Sequence, residues 1–361
     1  MKGLATALSA ILGPARAAEL RDDISKMWRW GFAAAGRYRP IPAEETEIVF
    51  EKRVPFKGDA PLQITTGVHE QGRMAFRAPR PQLEEADDLI VTPSGGAWRN
   101  GCFEERYSAG RPGLRRLLEG CRPDQTLPEA YIVQCAHNDT YGDWVSEYLV
   151  PVLGAAPLSA PLLLPATIAT KSFVARDLKD LDVDWRTIDR PVRIEKARVL
   201  RQQKYFVHFP EGNVRLLRQV FGEPKNAPRP GGVVYLSRYG EASDVAARRY
   251  PSLVIEDMIR ARGGRVIRTG GATLEDYAAA AADAETVVFD HGSAFYNALG
   301  WPMRRAVEIV SDDWWNNAFL MLCNAAGVDD YTIIRGDLGD AHIKERLLKT
   351  LDAPLDAAAA S

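Results

Sequence analysis

Short apolar runs alternate with longer stretches of helical period through the last third of the chain. Val233-Val234-Tyr235-Leu236 reads as a strand, and residues 252–262 as a helix stopped by Gly263-Gly264. Arg265-Val266-Ile267-Arg268 is the next strand, followed by a helix over 273–282 with Thr273 placed to cap it. Thr286-Val287-Val288-Phe289 and Ala306-Val307-Glu308-Ile309-Val310 are two further strands, separated by a short helix over 293–299. A helix over 314–326 follows, and a last one over 342–351 is the candidate to cross back to the first half of the chain. Four strands alternating with helices predict a parallel, doubly wound sheet with right-handed crossovers.

The first half is less regular. Residues 38–86 are rich in proline and charge, with β-prone pieces such as Glu47-Ile48-Val49-Phe50. Leu89-Ile90-Val91, Tyr131-Ile132-Val133 and Pro161-Leu162-Leu163-Leu164 are short strands, and a helix over 141–153 lies between the last two. Between the halves, residues 222–232 hold three prolines and three glycines in eleven residues, which no helix or central strand accommodates. The pattern therefore predicts an α/β protein of two Rossmann-like domains facing across a cleft. The first spans 1–222 on the acceptor side and the second 233–336, with a Pro/Gly linker over 223–232 and a terminal helical segment over 337–361.

Composition narrows the class. The 361 residues are 46% hydrophobic and 26% charged, enough for two folded domains. Forty-six basic against 48 acidic residues give a net charge of -2, which argues against a nucleic-acid partner. Cys102, Cys121, Cys135 and Cys323 are scattered, with no C-x-x-C pair, as suits reduced thiols in the cytoplasm. Met1, Lys2, an Ala-rich stretch and Ala15-Arg16-Ala17 bear some likeness to a secretory signal, but the composition favours an ordinary N-terminal helix. Met27, Trp28, Trp30 and Phe32 beside Arg29 and Arg37 read as a docked helix, the alternative being peripheral contact with the inner face of a membrane.

Three clusters carry candidate chemistry. Ser237-Arg238 ends the strand over 233–236, where a guanidinium can grip a phosphate through paired donors; a solvated loop arginine is the equal alternative. Asp290-His291-Gly292-Ser293-Ala294-Phe295-Tyr296-Asn297 follows another strand and opens a helix, where close backbone approach and helix-start amides favour an anion. His291 and Ser293 would add donors to a departing pyrophosphate, and the alternative is a helix start capped by Asp290 or Ser293. In the first domain, Asp143 and Glu147 are four residues apart and so share a helix side, as a general base and its partner would. Thr140-x-x-Asp143 is also a capping box, and on the residues alone the cap is the stronger reading.

The stretch from Val234 to Ile309 resembles the C-terminal half of glycosyltransferase family 61, whose members serve in capsule and other polysaccharide assembly and in eukaryotic glycan synthesis. The likeness rests on Ser237-Arg238, then Gly264-Arg265-Val266, then His291-Gly292-Ser293-Ala294-Phe295-Tyr296-Asn297, then the strand residue Glu308, in that order. It extends more weakly back to about residue 88. The resemblance implies a GT-B fold, inversion at the anomeric carbon, a nucleotide-sugar donor, a glycan or lipid-linked acceptor, and neither cofactor nor essential metal. Carried over by position, Ser237, Arg238, His291, Gly292, Ser293 and Asn297 would hold the donor, with Glu308 near the ribose. One departure stands out: family members often have His-Trp where this chain has Asp143-Trp144.

Competing readings are thinner. Asp180-Leu181-Asp182-Val183-Asp184 contains two D-x-D triplets of the kind that bind a divalent metal in another glycosyltransferase class, but reads first as a solvated loop. Neither a G-x-G-x-x-G fingerprint in context, a G-x-S-x-G elbow nor a G-x-x-x-x-G-K-[ST] loop is present. Trp301 and Trp314-Trp315-Asn316-Asn317 read as core or interface aromatics rather than a sugar platform. Besides the transferase, a non-catalytic scaffold in polysaccharide assembly and a nucleotide-sugar 2-epimerase remain open.

Overall fold

The computed structural model describes residues 38–39, 46–50, 57–59, 68–70, 73–78, 82–109, 119, 122–135, 140–201, 211–223, 227–241, 250–311 and 318–355. The expectations placed on residues 1–32, Cys121, Trp314-Trp315-Asn316-Asn317 and the last six residues lie outside these. The protein is of the α/β class and forms two compact units, one of residues 1–45 and 79–204, the other of 46–78 and 205–361.

In the first unit a mixed eight-stranded sheet has the order Tyr38–Arg39, Cys102–Glu104, Ala97–Arg99, Gln82–Val91, Val192–Arg201, Gln125–Gln134, Leu162–Pro165, Trp185–Ile188. The last four strands in that order run parallel, and Gln82–Val91 pairs antiparallel with Val192–Arg201 along its whole length. Ala86, Leu89, Ala130, Ile132, Ile194, Ala197 and Val199 share one buried cluster. Their spacing slips by one residue in all three central strands at the row of Asp88, Glu195 and Pro128. There Asp88 turns left-handed (φ 57°), the ladder skips Glu195, and Pro128 has no N–H to offer. The irregularity keeps apolar residues facing the core on both sides of the row.

The second unit holds a six-stranded, wholly parallel sheet: β1 (Lys57–Gly58), β2 (Val233–Ser237), β3 (Arg265–Arg268), β4 (Thr286–Asp290), β5 (Arg305–Val310) and β6 (Asp330–Arg335), in the order β3-β2-β4-β5-β6-β1. Period-two alternation divides its side chains. Tyr235, Val288, Val307, Ile309 and Ile334 pack against Ile255 and Ile259 of the helix Ser252–Ala261, and against Ile343 and Leu347 of the helix Asp340–Asp352. On the opposite face Phe289 stacks on Phe295 with centroids 4.1 Å apart and meets Phe319 edge-on at 5.7 Å. From β2 the chain moves outward to β3, then returns past β2 to β4 and continues to β5 and β6. The winding direction thus reverses between β2 and β4, the position where open parallel sheets leave a crevice at the C-terminal ends of their strands. A small antiparallel sheet of Thr46–Phe50, Arg73–Ala78 and Val68–Glu70 belongs to the same unit.

Three details differ from the sequence reading. The helix Asp340–Asp352 packs on β6 and Ser252–Ala261 within the second unit instead of crossing to the first. Residues 205–222 group with the second unit, so the Pro/Gly stretch connects the helix Glu211–Phe221 to β2 inside that unit instead of joining the two units. Proline and glycine break regular structure in either setting, and nothing local distinguishes a loop from a linker. Finally, β6 and β1 extend the sheet beyond the four strands anticipated.

Candidate functional site

Arg238 and the turn His291-Gly292 meet at the switch point. Arg238 follows the last residue of β2, and its Nη1 donates to the His291 carbonyl at 3.1 Å. Its Nε donates to Glu241 Oε2 at 2.6 Å, and its guanidinium lies 5.9 Å from the centre of the Tyr250 ring. Tyr250 Oη donates to the same His291 carbonyl at 3.0 Å. Gly292 is needed for space, since its φ of 169° is extended backbone open to any residue. A Cβ at Gly292 would stand 2.9 Å from Arg238 Nη1. A cationic fork, pinned at two of its donors and laid along bare backbone, is suited to a planar, bidentate grip on a phosphate group.

Asp290, the last residue of β4, ties this corner together. One of its carboxylate oxygens accepts from Tyr235 Oη at 2.7 Å; the other accepts from the Arg238 main-chain N–H at 2.9 Å and Ser252 Oγ at 2.7 Å. Burial pushes its pKa up to about 6 against the opposing pull of the three hydrogen bonds. It does not cap the following turn, as one sequence reading had it; it sets the course of the main chain at Arg238.

The other predicted donor residues sit differently. His291 is buried, its Nδ1 bonded to Glu308, and its ring meets Phe319 edge-on at 5.0 Å. Glu308 is wholly buried in mid-strand and takes a second bond from Tyr331 Oη at 2.7 Å, so it braces His291 from within the core. Burial, then the Glu308 charge, push the Tyr331 phenol well up, keeping it a donor. Ser237 is fully buried and donates to Glu256 Oε1 at 2.7 Å. Burial raises Glu256, but bonds from Arg268, Ser237 and Arg260 outweigh it and bring the carboxyl to about 2. Ser293 is half-buried and opens a six-residue 3-10 helix, with no side-chain cap. Asn297 Nδ2 donates to the Ala294 carbonyl at 3.2 Å, and the residue lines an apolar cavity of about 490 Å³ with Phe221, Leu274, Tyr277, Trp301 and Pro302. Neither Arg238 nor His291 lines that cavity. Glu241, Tyr250, Ser252 and Glu256 were missed from sequence; only the i,i+3 spacing of Glu241 from Arg238 gave any signal.

In the first unit Asp143 sits in a capping box. Its carboxylate accepts from the Thr140 main-chain N–H at 2.9 Å, and its own N–H donates to Thr140 Oγ1 at 3.2 Å. Glu147 is buried within a π-helical stretch, Trp144–Leu149, while Asp143 is half-buried, so the two carboxylates occupy different environments. Such π-turns are frequent at functional sites. Trp144 Nε1 donates to the buried Asp177 at 2.9 Å, and Asp177 also pairs with Arg176 at 2.6 Å. Burial raises the Asp177 carboxyl despite that pairing. Asn138 and Asp139 lie outside the described residues.

Of the D-x-D residues, Asp184 pairs with Arg186 at 2.7 Å. Among the described residues no group of three His, Cys, Asp or Glu side chains is arranged to hold a metal ion, and no helix is long and apolar enough to cross a membrane. No family model matches the chain, and no curated protein matches it.

Proposed function

We propose that the second unit binds a nucleotide-sugar donor at the switch point between β2 and β4. The chain is then an inverting glycosyltransferase of two Rossmann-like domains in the GT-B manner, acting on a hydroxyl of a glycan or lipid-linked acceptor in surface-polysaccharide assembly. The observation that carries this reading is the meeting of Arg238 with the His291-Gly292 turn at the C-terminal edge of the parallel sheet. A fixed guanidinium there stabilises the negative charge that builds on a departing nucleoside diphosphate. In the transfer, the acceptor oxygen forms a bond to the anomeric carbon as the bond to the phosphate oxygen breaks on the opposite face. The acceptor proton passes to a carboxylate, for which Asp143 is the first candidate and Glu147 the second. Glu308 serves through His291 rather than at the ribose.

Incubation with UDP-, GDP-, CMP- and dTDP-sugars, with and without a divalent metal, tests the reading. Release of nucleotide from one donor class upon addition of a glycan acceptor supports it; interconversion of the donor without acceptor points to an epimerase. The capping box at Asp143 is the observation that favours the scaffold reading, under which donor is bound but never turned over.

A further inference from the structure

Beside the Arg238 corner, on the side away from β4, lies a second arrangement. Tyr239 follows Arg238 directly, and the residue is 44% exposed at the C-terminal end of the sheet. The Arg268 guanidinium lies over that ring, 4.7 Å from its centre. Arg268 ends β3 and is the register partner of Ser237 on β2.

Both members are held from beneath. Arg268 donates through Nε at 3.0 Å and through Nη2 at 2.8 Å to the two oxygens of Glu256. Glu256 is buried and is bonded in turn by Ser237 Oγ and by Arg260 at 2.7 Å. The Tyr239 N–H donates to Ser237 Oγ at 3.2 Å, and the Thr269 N–H to the Ser237 carbonyl at 2.8 Å. One buried carboxylate thus orients a cation against an aromatic ring that solvent still reaches. Among the described residues, a Cβ added at the adjacent Gly240 would meet nothing within 4 Å.

We propose that Tyr239, backed by Arg268, is a stacking platform for the base of the bound nucleotide. This inference rests on the donor-site reading above and adds the subsite that would recognise the donor's base. A planar heteroaromatic ring gains by lying on a rigid aromatic surface, and a cation behind the tyrosine fixes that surface in place. The position fits the ligand, because β3 lies one strand spacing, about 4.8 Å, beyond β2. A nucleotide whose phosphates rest on Arg238 needs only a short reach to bring its base there. Stacking accepts any base, so the platform supplies affinity for nucleotides as a class and leaves the choice of base to other contacts.

Calorimetric titration of the full chain with uridine, guanosine, cytidine and thymidine diphosphates and with inorganic pyrophosphate tests this. Three proteins are compared: the parent, Tyr239→Ala and Tyr239→Phe. Tyr239→Ala weakens the nucleoside diphosphate that the parent binds best about tenfold. Tyr239→Phe binds it as the parent does, and pyrophosphate affinity is the same in all three. Unchanged nucleoside diphosphate binding by Tyr239→Ala overturns the platform while leaving the donor site standing. An equal loss of pyrophosphate affinity also overturns it, since Tyr239 would then act only through Arg238. Failure of the parent to bind any of the four nucleotides removes the donor-site reading and the platform together.

Discussion

Gly292 lies against the guanidinium of Arg238 so closely that a Cβ at position 292 would be 2.9 Å from Nη1 and 3.2 Å from Cδ. The glycine is there for the arginine's sake, because its extended backbone imposes no left-handed requirement. Gly292→Ala therefore displaces the far end of a side chain and leaves the fold in place. The expected result is a donor affinity lowered about tenfold with a stability change within about 1 kcal/mol, read by calorimetry and thermal melting. A variant that binds donor as the parent does would separate Arg238 from the donor site.

Asp290 makes stability depend on pH in a direction opposite to that of most paired carboxylates. Its pKa is about 6 in the folded protein against an ordinary 3.8, so the folded state holds the proton more tightly than the unfolded chain. The stabilisation is complete below pH 3.8 and is lost as pH rises through about 6. Asp290→Asn lacks this titration. The stability difference between parent and variant is expected to move in the variant's favour by about 2 kcal/mol between pH 4 and 7, measured by urea unfolding. A pH-independent difference would mean that Asp290 is ionised throughout.

Asp143 has a structural role already, and the question is whether it has a second. Asp143→Asn retains an oxygen that can accept from the Thr140 N–H, so the helix start survives and stability changes by less than the roughly 1 kcal/mol a lost cap costs. If Asp143 is the base, turnover falls by a factor of about 100 or more with donor affinity unchanged. Full turnover in this variant would leave Asp143 as a cap and pass the role to Glu147.

Strands β2 to β5 and the helices between them were legible because each short apolar run is bounded by glycine, proline or a capping residue. Thr140 and Asp143 form the capping box their spacing implied, and Thr273 caps its helix as expected, in a box with Asp276. The strand Val192–Arg201 was not legible, since its apolar positions slip by one residue at the Asp88–Glu195–Pro128 row and the alternation is lost. Arg238, His291 and Gly292 were located by their place after parallel strands, which is a property of topology. Their orientation was not, because it depends on residues far away in sequence: Glu308 draws His291 inward, Asp290 turns the chain at Arg238, and Glu256 claims Ser237. A histidine beside a glycine and a serine looks outward-facing until the carboxylate behind it is known.

Arg238's grip on the phosphates of a nucleotide donor is the contact on which the proposed function stands. Its most direct test is calorimetric titration of the parent and Arg238→Ala with the nucleoside diphosphate that stabilises the parent most in a thermal-shift panel. Loss of a charge-assisted, partly buried contact is expected to weaken binding by roughly 30-fold or more, with pyrophosphate affected in proportion. Equal affinity for the two proteins would place the phosphates elsewhere and remove Arg238 from the donor site.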